Sequence, residues 1–441
     1  MNRLSAVLAS LCAVTVATVG CTDEPPLPAY QGKGVCYPVS MKPDPAGRYL
    51  FVAGANFDRS FRGGIVRAFD TKTNSYLSES IEIGSFASAL HVQTLLGDDG
   101  KPAHRVLVAS RDDDAVATIE VQRATDGAPK LGCNGEIKTA GCPEKCPAAA
   151  SFGGDGADDL DVGADPIELS IADDPAGLGK LVHVVGTSDG KVAIVRMDEQ
   201  DDGSVKVSAI DSTQHVAGIA DAVTSPLTGR TYISNSRQAY LVNYSVQATT
   251  VTGDDGKTTP SYKVVSHGSI PLPSAGGGEN GRGMALSSDN SKLYVAYRNP
   301  NSLVVVDIAP DATGEPANKL LSVIGLGGSP AQVAVAPTGD DGRDLVYVSC
   351  FGSDDIWIVD PQLRAARGVV RLPHSPYALS LVGDKASGFS LYASLFSKHQ
   401  LARVPLKDGL PPAGDSKGWL ELFTTGDCAD TPTAEEVTAC N

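Results

Sequence analysis

No Cys-x-x-Cys-His run occurs in the 441 residues, which excludes covalent haem attachment. A His-Glu-x-x-His pair and a phosphate-cradling Gly-x4-Gly-Lys-Ser/Thr loop are also missing, which removes the metal proteases and nucleotide hydrolases built on them. Beyond the N-terminal segment, no apolar stretch approaches the roughly 20 residues of a membrane span, so the body reads as soluble. Stretches free of both Gly (47) and Pro (28) are short, which disfavours a helical protein. Positive charge is scarce: 36 Lys and Arg against 52 Asp and Glu leave −16, a balance that disfavours nucleic acid and anionic lipid as partners. The acidic loops at 97–100, 253–256 and 339–342 read Gly-Asp-Asp-Gly and lack the spaced oxygen ligands of a calcium loop, so they read as solvated turns.

One short phrase recurs seven times: an apolar run centred on Tyr or a similar residue, a polar gap, then a second apolar run that often closes on Asp. The clearest copies are Leu293-Tyr294-Val295-Ala296 with Leu303 to Asp307, and Val346-Tyr347-Val348-Ser349 with Ile356 to Asp360. The central residues are Phe51, Leu107, His183, Tyr232, Tyr294, Tyr347 and Tyr392, mostly about 45 to 62 residues apart. Each copy is preceded by an apolar run ending in a Pro, Asp and Gly turn, and followed by a further apolar segment such as Gly368 to Leu372. Four short antiparallel strands repeated seven times predict an all-β chain, a seven-bladed β-propeller of four-stranded antiparallel blades. Inner strands are expected near 39–44, 88–95, 166–172, 217–224, 283–288, 331–336 and 377–382. His183 stands in a Tyr slot, where core packing is its reading.

This phrase, with its Leu-Tyr-Val-Ala and Val-Val-Val-Asp segments, resembles the YVTN-type repeat of bacterial propellers, strongly over 282–372 and weakly over 86–123. The resemblance implies an exported binding or surface protein, with lactonases among the related propellers. Gly281-Arg282-Gly283-Met284 also resembles the Gly-Pro-Arg-His opening of a lactonase blade, but Gly283 and Met284 stand where its His would be. Two classes stay open: a binding or protein-interaction scaffold without cofactor or metal, and a lactonase-like hydrolase using Arg282 with His215 or His374.

The first 20 residues carry Arg3 and an apolar stretch, Leu4 to Val19, and read as a signal peptide. Thr18-Val19-Gly20-Cys21 resembles a bacterial lipobox, with Cys21 lipidated and residues 21–34 a tether arm. Plain secretion is the alternative. The expected location is the bacterial envelope, at the outer membrane on its periplasmic or surface side, with a lipid anchor as the only membrane contact and a monomeric body. Removing residues 1–20 removes Arg3 alone, giving 35 − 52 = −17. The propeller is assigned to 35–427 and a tail to 428–441. A Cys- and Asp-rich insertion at 132–163 breaks the repeat at the rim or over one face. Exported chains form disulfides, so Cys36, Cys133, Cys142, Cys146, Cys428 and Cys440 are disulfide candidates, while Cys350 reads as a buried small hydrophobe. The Asp cluster of the insertion has spacing too irregular for a calcium loop and reads as solvated.

In a propeller, inner-strand starts and the loops between second and third strands share one face. His215, Arg282 and His374 fall before inner strands; Arg62, Arg111, Arg237 and Arg298 fall in those loops, as do Asp58, Arg59, Asp112, Asp354, Lys398 and His399. A cationic funnel in an anionic chain points to a small anionic ligand or an acidic group on an envelope protein, because guanidinium forks suit carboxylate and phosphate. The competing reading is that these arginines pair with neighbouring carboxylates.

Overall fold

The computed structural model describes residues 27, 30, 34–96, 102–123, 127–133, 144–146, 150–154, 160–199, 205–253, 256–274, 280–337, 343–384, 387–414 and 416–424. Its strands form seven antiparallel blades in a ring, a seven-bladed β-propeller. The inner strands are Pro38–Pro43, Ala87–Leu96, Pro166–Asp173, Ile219–Thr224, Gly281–Leu286, Pro330–Pro337 and Pro376–Asp384, each overlapping its predicted range.

The recurring phrase now has a physical explanation. Asp at the close of a third strand caps the turn that follows: Asp360 Oδ1 accepts from the Gln362 and Leu363 amides at 3.0 Å, and Asp307 Oδ1 from the Ala309 amide at 3.0 Å. The Tyr of the second strand is buried and its hydroxyl donates to the next blade. Tyr232 reaches Asn318 Oδ1 at 3.0 Å, Tyr294 reaches Asp344 Oδ2 at 3.0 Å, and Tyr347 reaches the Gly409 carbonyl at 2.7 Å. His183 serves the same end with different chemistry, its Nδ1 lying 2.5 Å from the hydroxyl of Tyr244 in the fourth blade. In these four blades the slot carries a polar tip on an apolar body that staples one blade to the next, whereas Phe51 and Leu107 fill it as buried apolar residues.

Six blades have an unbroken outer strand. In the second blade it comes in two pieces, Pro129–Gly132 and Ser151–Gly153, both paired with the third strand Ala115–Arg123. Between them the chain crosses to the first blade, where Glu144–Lys145 pairs in parallel with Ile81 and Glu82 at the outer edge. A disulfide joins Cys133 to Cys146 across this excursion, with Cα atoms 5.4 Å apart, within the ordinary disulfide range. Cys36 is disulfide-bonded as well, and Cys350 is a buried free thiol whose pKa burial pushes up to about 12. Cys21, Cys142, Cys428, Cys440 and the acidic run Asp155, Asp158 and Asp159 lie outside the described residues.

The four antiparallel strands of the first blade and the four of the last blade each come from one continuous stretch, so no strand is shared across the closure of the ring. Closure is made by side chains. Phe69 packs on Tyr392 and Phe423, with centroids 6.0 and 5.4 Å apart, and the Tyr37 amide donates to His399 Nδ1 at 3.0 Å.

Candidate functional site at the channel mouth

Every inner strand begins with a register shift against its second strand: Pro38/Ser40, Ala87/Leu90, Pro166/Glu168, Ile219/Asp221, Gly281/Met284, Pro330/Val333 and Pro376/Leu379. A β-bulge at that point re-aims the extra residue. Val39, Ser88, Ile167, Ala220, Gln332 and Tyr377, all at or within these bulges, line a cavity of about 250 Å3.

The lining mixes aromatic and charged residues. Phe57, Phe86, Phe351 and Phe396, from loops of the first, second, sixth and seventh blades, line the cavity with Tyr377. Their rings form a chain, Phe86 to Phe57 at 5.7 Å, Phe57 to Phe396 at 5.6 Å, Phe396 to Tyr377 at 6.3 Å and Tyr377 to Phe351 at 6.4 Å. Arg111, Glu168, Lys42 and Gln332 are in the same lining, with the Arg111 amide donating to the Phe86 carbonyl at 3.2 Å.

The charges of Arg111, Arg282 and Arg298 all act on Tyr377. Burial pushes the Tyr377 phenol up, the Glu168 carboxylate adds to this, and the three guanidinium groups pull it back. Arg111 forms a two-pronged pair with Asp165, through Nε to Oδ1 and through Nη2 to Oδ2 at 3.0 Å. Burial raises the Asp165 carboxyl, but the hydrogen bonds from Arg111 and Ser188 outweigh it and hold it below its ordinary range. Arg298 Nε donates to the Pro330 carbonyl at 3.0 Å, which fixes it against the start of the sixth inner strand. Arg282 occupies the bulge of the fifth inner strand, and its carbonyl accepts from Ser234 Oγ at 2.8 Å.

The remaining predicted residues stand elsewhere. Arg62 Nε clamps both oxygens of the buried Glu82 carboxylate at 2.6 and 2.8 Å, on the outer strand of the first blade. Arg237 is exposed, its stem packed over Gly218. His215 stacks on Tyr244 at 6.2 Å, and burial lowers its pKa. Neither His215 nor His374 is among the described lining residues.

Deeper in the channel, Glu168 meets His91 Nε2 at 3.2 Å. The neighbouring Asp221 is buried and accepts from the Met284 amide at 2.5 Å. Burial, reinforced by the Glu168 charge, raises its carboxyl well above the ordinary range. Sequence reasoning missed Glu168, His91 and Asp221 because they look like ordinary inner-strand residues, and it missed the phenylalanines because loop aromatics have no period.

Gly186-Thr187-Ser188-Asp189-Gly190 matches Gly-x-Ser-x-Gly letter for letter, yet it turns between two strands rather than from strand to helix, and Ser188 Oγ is spent on Asp165 at 2.8 Å. Among the described residues no group of three or more His, Cys, Asp or Glu could hold a metal ion.

No family model matches the chain, and no curated protein does. Among solved structures, it resembles a candidate 6-phosphogluconolactonase of Bacteroides fragilis, with 14% identity, 78% of this chain and 86% of that one covered, and a TM-score of 0.51. The periplasmic gluconolactonase of Pseudomonas aeruginosa aligns at 17% identity over 81% of this chain and 88% of that one, with a TM-score of 0.49. A protein of unknown function from Desulfotomaculum acetoxidans aligns at 16% identity over 82% and 96%, with a TM-score of 0.48. The first of these supports a shared fold, and function is left to the site.

Proposed function

We propose that this chain is a binding propeller that takes a small anionic ligand at the channel mouth and works tethered to the bacterial envelope through Cys21. One observation carries the first half: Arg111 of the second blade lines an open cavity, and its charge acts together with those of Arg282 and Arg298 of the fifth blade on Tyr377, which lines the same cavity. Convergent guanidinium groups at a partly enclosed site favour carboxylate or phosphate, since hydrogen bonds to charged groups are stronger there than in water. Dicarboxylates or phosphates are expected to raise the melting temperature of the full-length protein. Arg282→Ala is expected to weaken that binding by about 1.5 to 3 kcal/mol, the range of a charge-assisted hydrogen bond. No shift with any anion would sink the reading.

The tether rests on the lipobox-like run ending at Cys21 and the polar arm after it. Cys21→Ser should move the protein from the membrane fraction to the soluble fraction, and equal membrane retention would remove the anchor from the proposal.

A lactonase-like hydrolase in the same funnel is the second reading, and the observation in its favour is the His91 and Glu168 couple facing the channel. Neither His215 nor His374 supports it, since neither lines the cavity. Lactone hydrolysis by the purified protein, abolished by Glu168→Gln, would assign the funnel to catalysis instead.

A further inference from the structure

We infer that the ligand is a single-ring aromatic acid, held with its carboxylate toward the arginines and its ring against the phenylalanine crescent. This rests on the anion-binding reading and narrows it.

The chain has ten Phe, and four of them, Phe57, Phe86, Phe351 and Phe396, come from four separate loops to line this one cavity. Core packing does not explain them: Phe86, Phe351 and Phe396 are only half-buried, and Phe57 is 55% exposed. Nor does loop geometry. Phe86 has φ 53°, and Tyr37, whose ring lies 6.0 Å from Phe57, has φ 47°. Left-handed backbone is costly for a bulky L-residue and favours Gly or Asn, so a loop chosen for its turn alone would not carry an aromatic residue at either position. The same left-handed position before an inner strand is filled by Asp165, Gly218 and Ser329 in other blades, so the turn itself calls for small or polar residues and the aromatic ones are the departure.

The geometry suits an aromatic guest. Phe57 meets Phe86 at an interplanar angle of 90° and Phe396 at 79°, so the crescent presents both ring edges and ring faces to the cavity. Aromatic pairs prefer such edge-to-face or offset contacts, and an added ring would extend the chain by the same rule. The cavity of about 250 Å3 lies below the roughly 300 to 1,000 Å3 of pockets for drug-sized ligands, which limits the guest to one ring. Arg111 is in the lining beside Phe86, whose carbonyl accepts from the Arg111 amide at 3.2 Å, and the charges of Arg282 and Arg298 act on Tyr377 of the same lining. A guest that meets both the phenylalanines and the Arg111 guanidinium has a flat apolar part and an anionic group.

Calorimetric titration of the full-length protein with benzoate, succinate and gluconate tests this. Benzoate is expected to bind at least tenfold tighter than either aliphatic acid. Phe57→Leu, which keeps apolar bulk at an exposed position but removes the ring, is expected to weaken benzoate by about tenfold and to leave succinate unchanged. Succinate or gluconate binding as tightly as benzoate overturns the aromatic assignment while the anion reading stands. Benzoate affinity unchanged in Phe57→Leu overturns it too. Failure of all three acids to bind overturns this inference, and failure of phosphate as well overturns the anion reading.

Discussion

Lowering the pH from 7 to 4 is expected to remove about 3 kcal/mol of stability through His183 alone. This imidazole is 1% exposed in the interior between the third and fourth blades, and burial lowers its pKa from 6.5 to about 4. The unfolded chain takes up a proton below about 6.5, whereas the folded one resists until about 4. Between those values the unfolded state therefore holds more protons, and stability falls as pH falls. The contribution is complete above 6.5 and lost by about 4, and 2.5 units at about 1.36 kcal/mol each give the magnitude. Other carboxylates titrate in the same range, so the measurement is a difference. Urea unfolding of the wild type and His183→Gln at pH 7 and pH 4 should show the gap between the two proteins shifting by about 3 kcal/mol in favour of the variant. Parallel pH curves would show that His183 takes its proton without opposing the fold.

Arg62→Ala is expected to destabilise the protein by about 3 kcal/mol and to leave anion binding untouched. The Glu82 carboxylate is 1% exposed and receives Arg62 Nε on both oxygens. Removing one partner of a buried pair leaves a charge in a poorly solvating interior, which costs roughly 3 to 5 kcal/mol; the partial exposure of Arg62 puts the expectation at the lower end. Arg62→Lys should recover part of the loss, because an ammonium keeps the charge but not the planar two-oxygen geometry. A change below about 1 kcal/mol in Arg62→Ala would mean that Glu82 is sustained by its other surroundings. The contrast with Arg282→Ala is the useful one: the first variant should move stability and not binding, the second binding and not stability.

The architecture could be read from the chain because each blade repeats the same local solution. Turn-capping Asp, Pro-Asp-Gly punctuation and the stapling Tyr recur at fixed offsets, and the physics of one copy is the physics of all. His183 shows how far this reaches, since a residue that breaks the letter pattern keeps its function by bonding Tyr244. The mouth was legible in part. Arg111, Arg282 and Arg298 could be placed on one face by their positions in the repeat, but nothing in those positions distinguishes them from Arg62, whose partner Glu82 is set by how the outer strand folds back. The aromatic lining was not legible at all. Phe57, Phe86, Phe351 and Phe396 sit in loops of different blades, and only the ring geometry makes neighbours of residues more than 300 positions apart. The recurrent bulge was hidden for a related reason: a register shift is a property of two strands together, and apolar runs do not announce it.

The way the ring is closed also bears on how the protein comes into being. Six junctions between blades are crossed by the chain itself, but the seventh joins residues such as Tyr37 and His399, 362 positions apart, without a shared strand. Contacts of such separation carry the largest loop-closure cost and are slow to form, so the seam is placed to close last. Phe57 and Phe396 lie on opposite sides of that seam and touch only across it. The mouth is therefore a property of the finished ring: a chain that has made six blades, or has made seven and not yet joined them, has the residues of the site without the site.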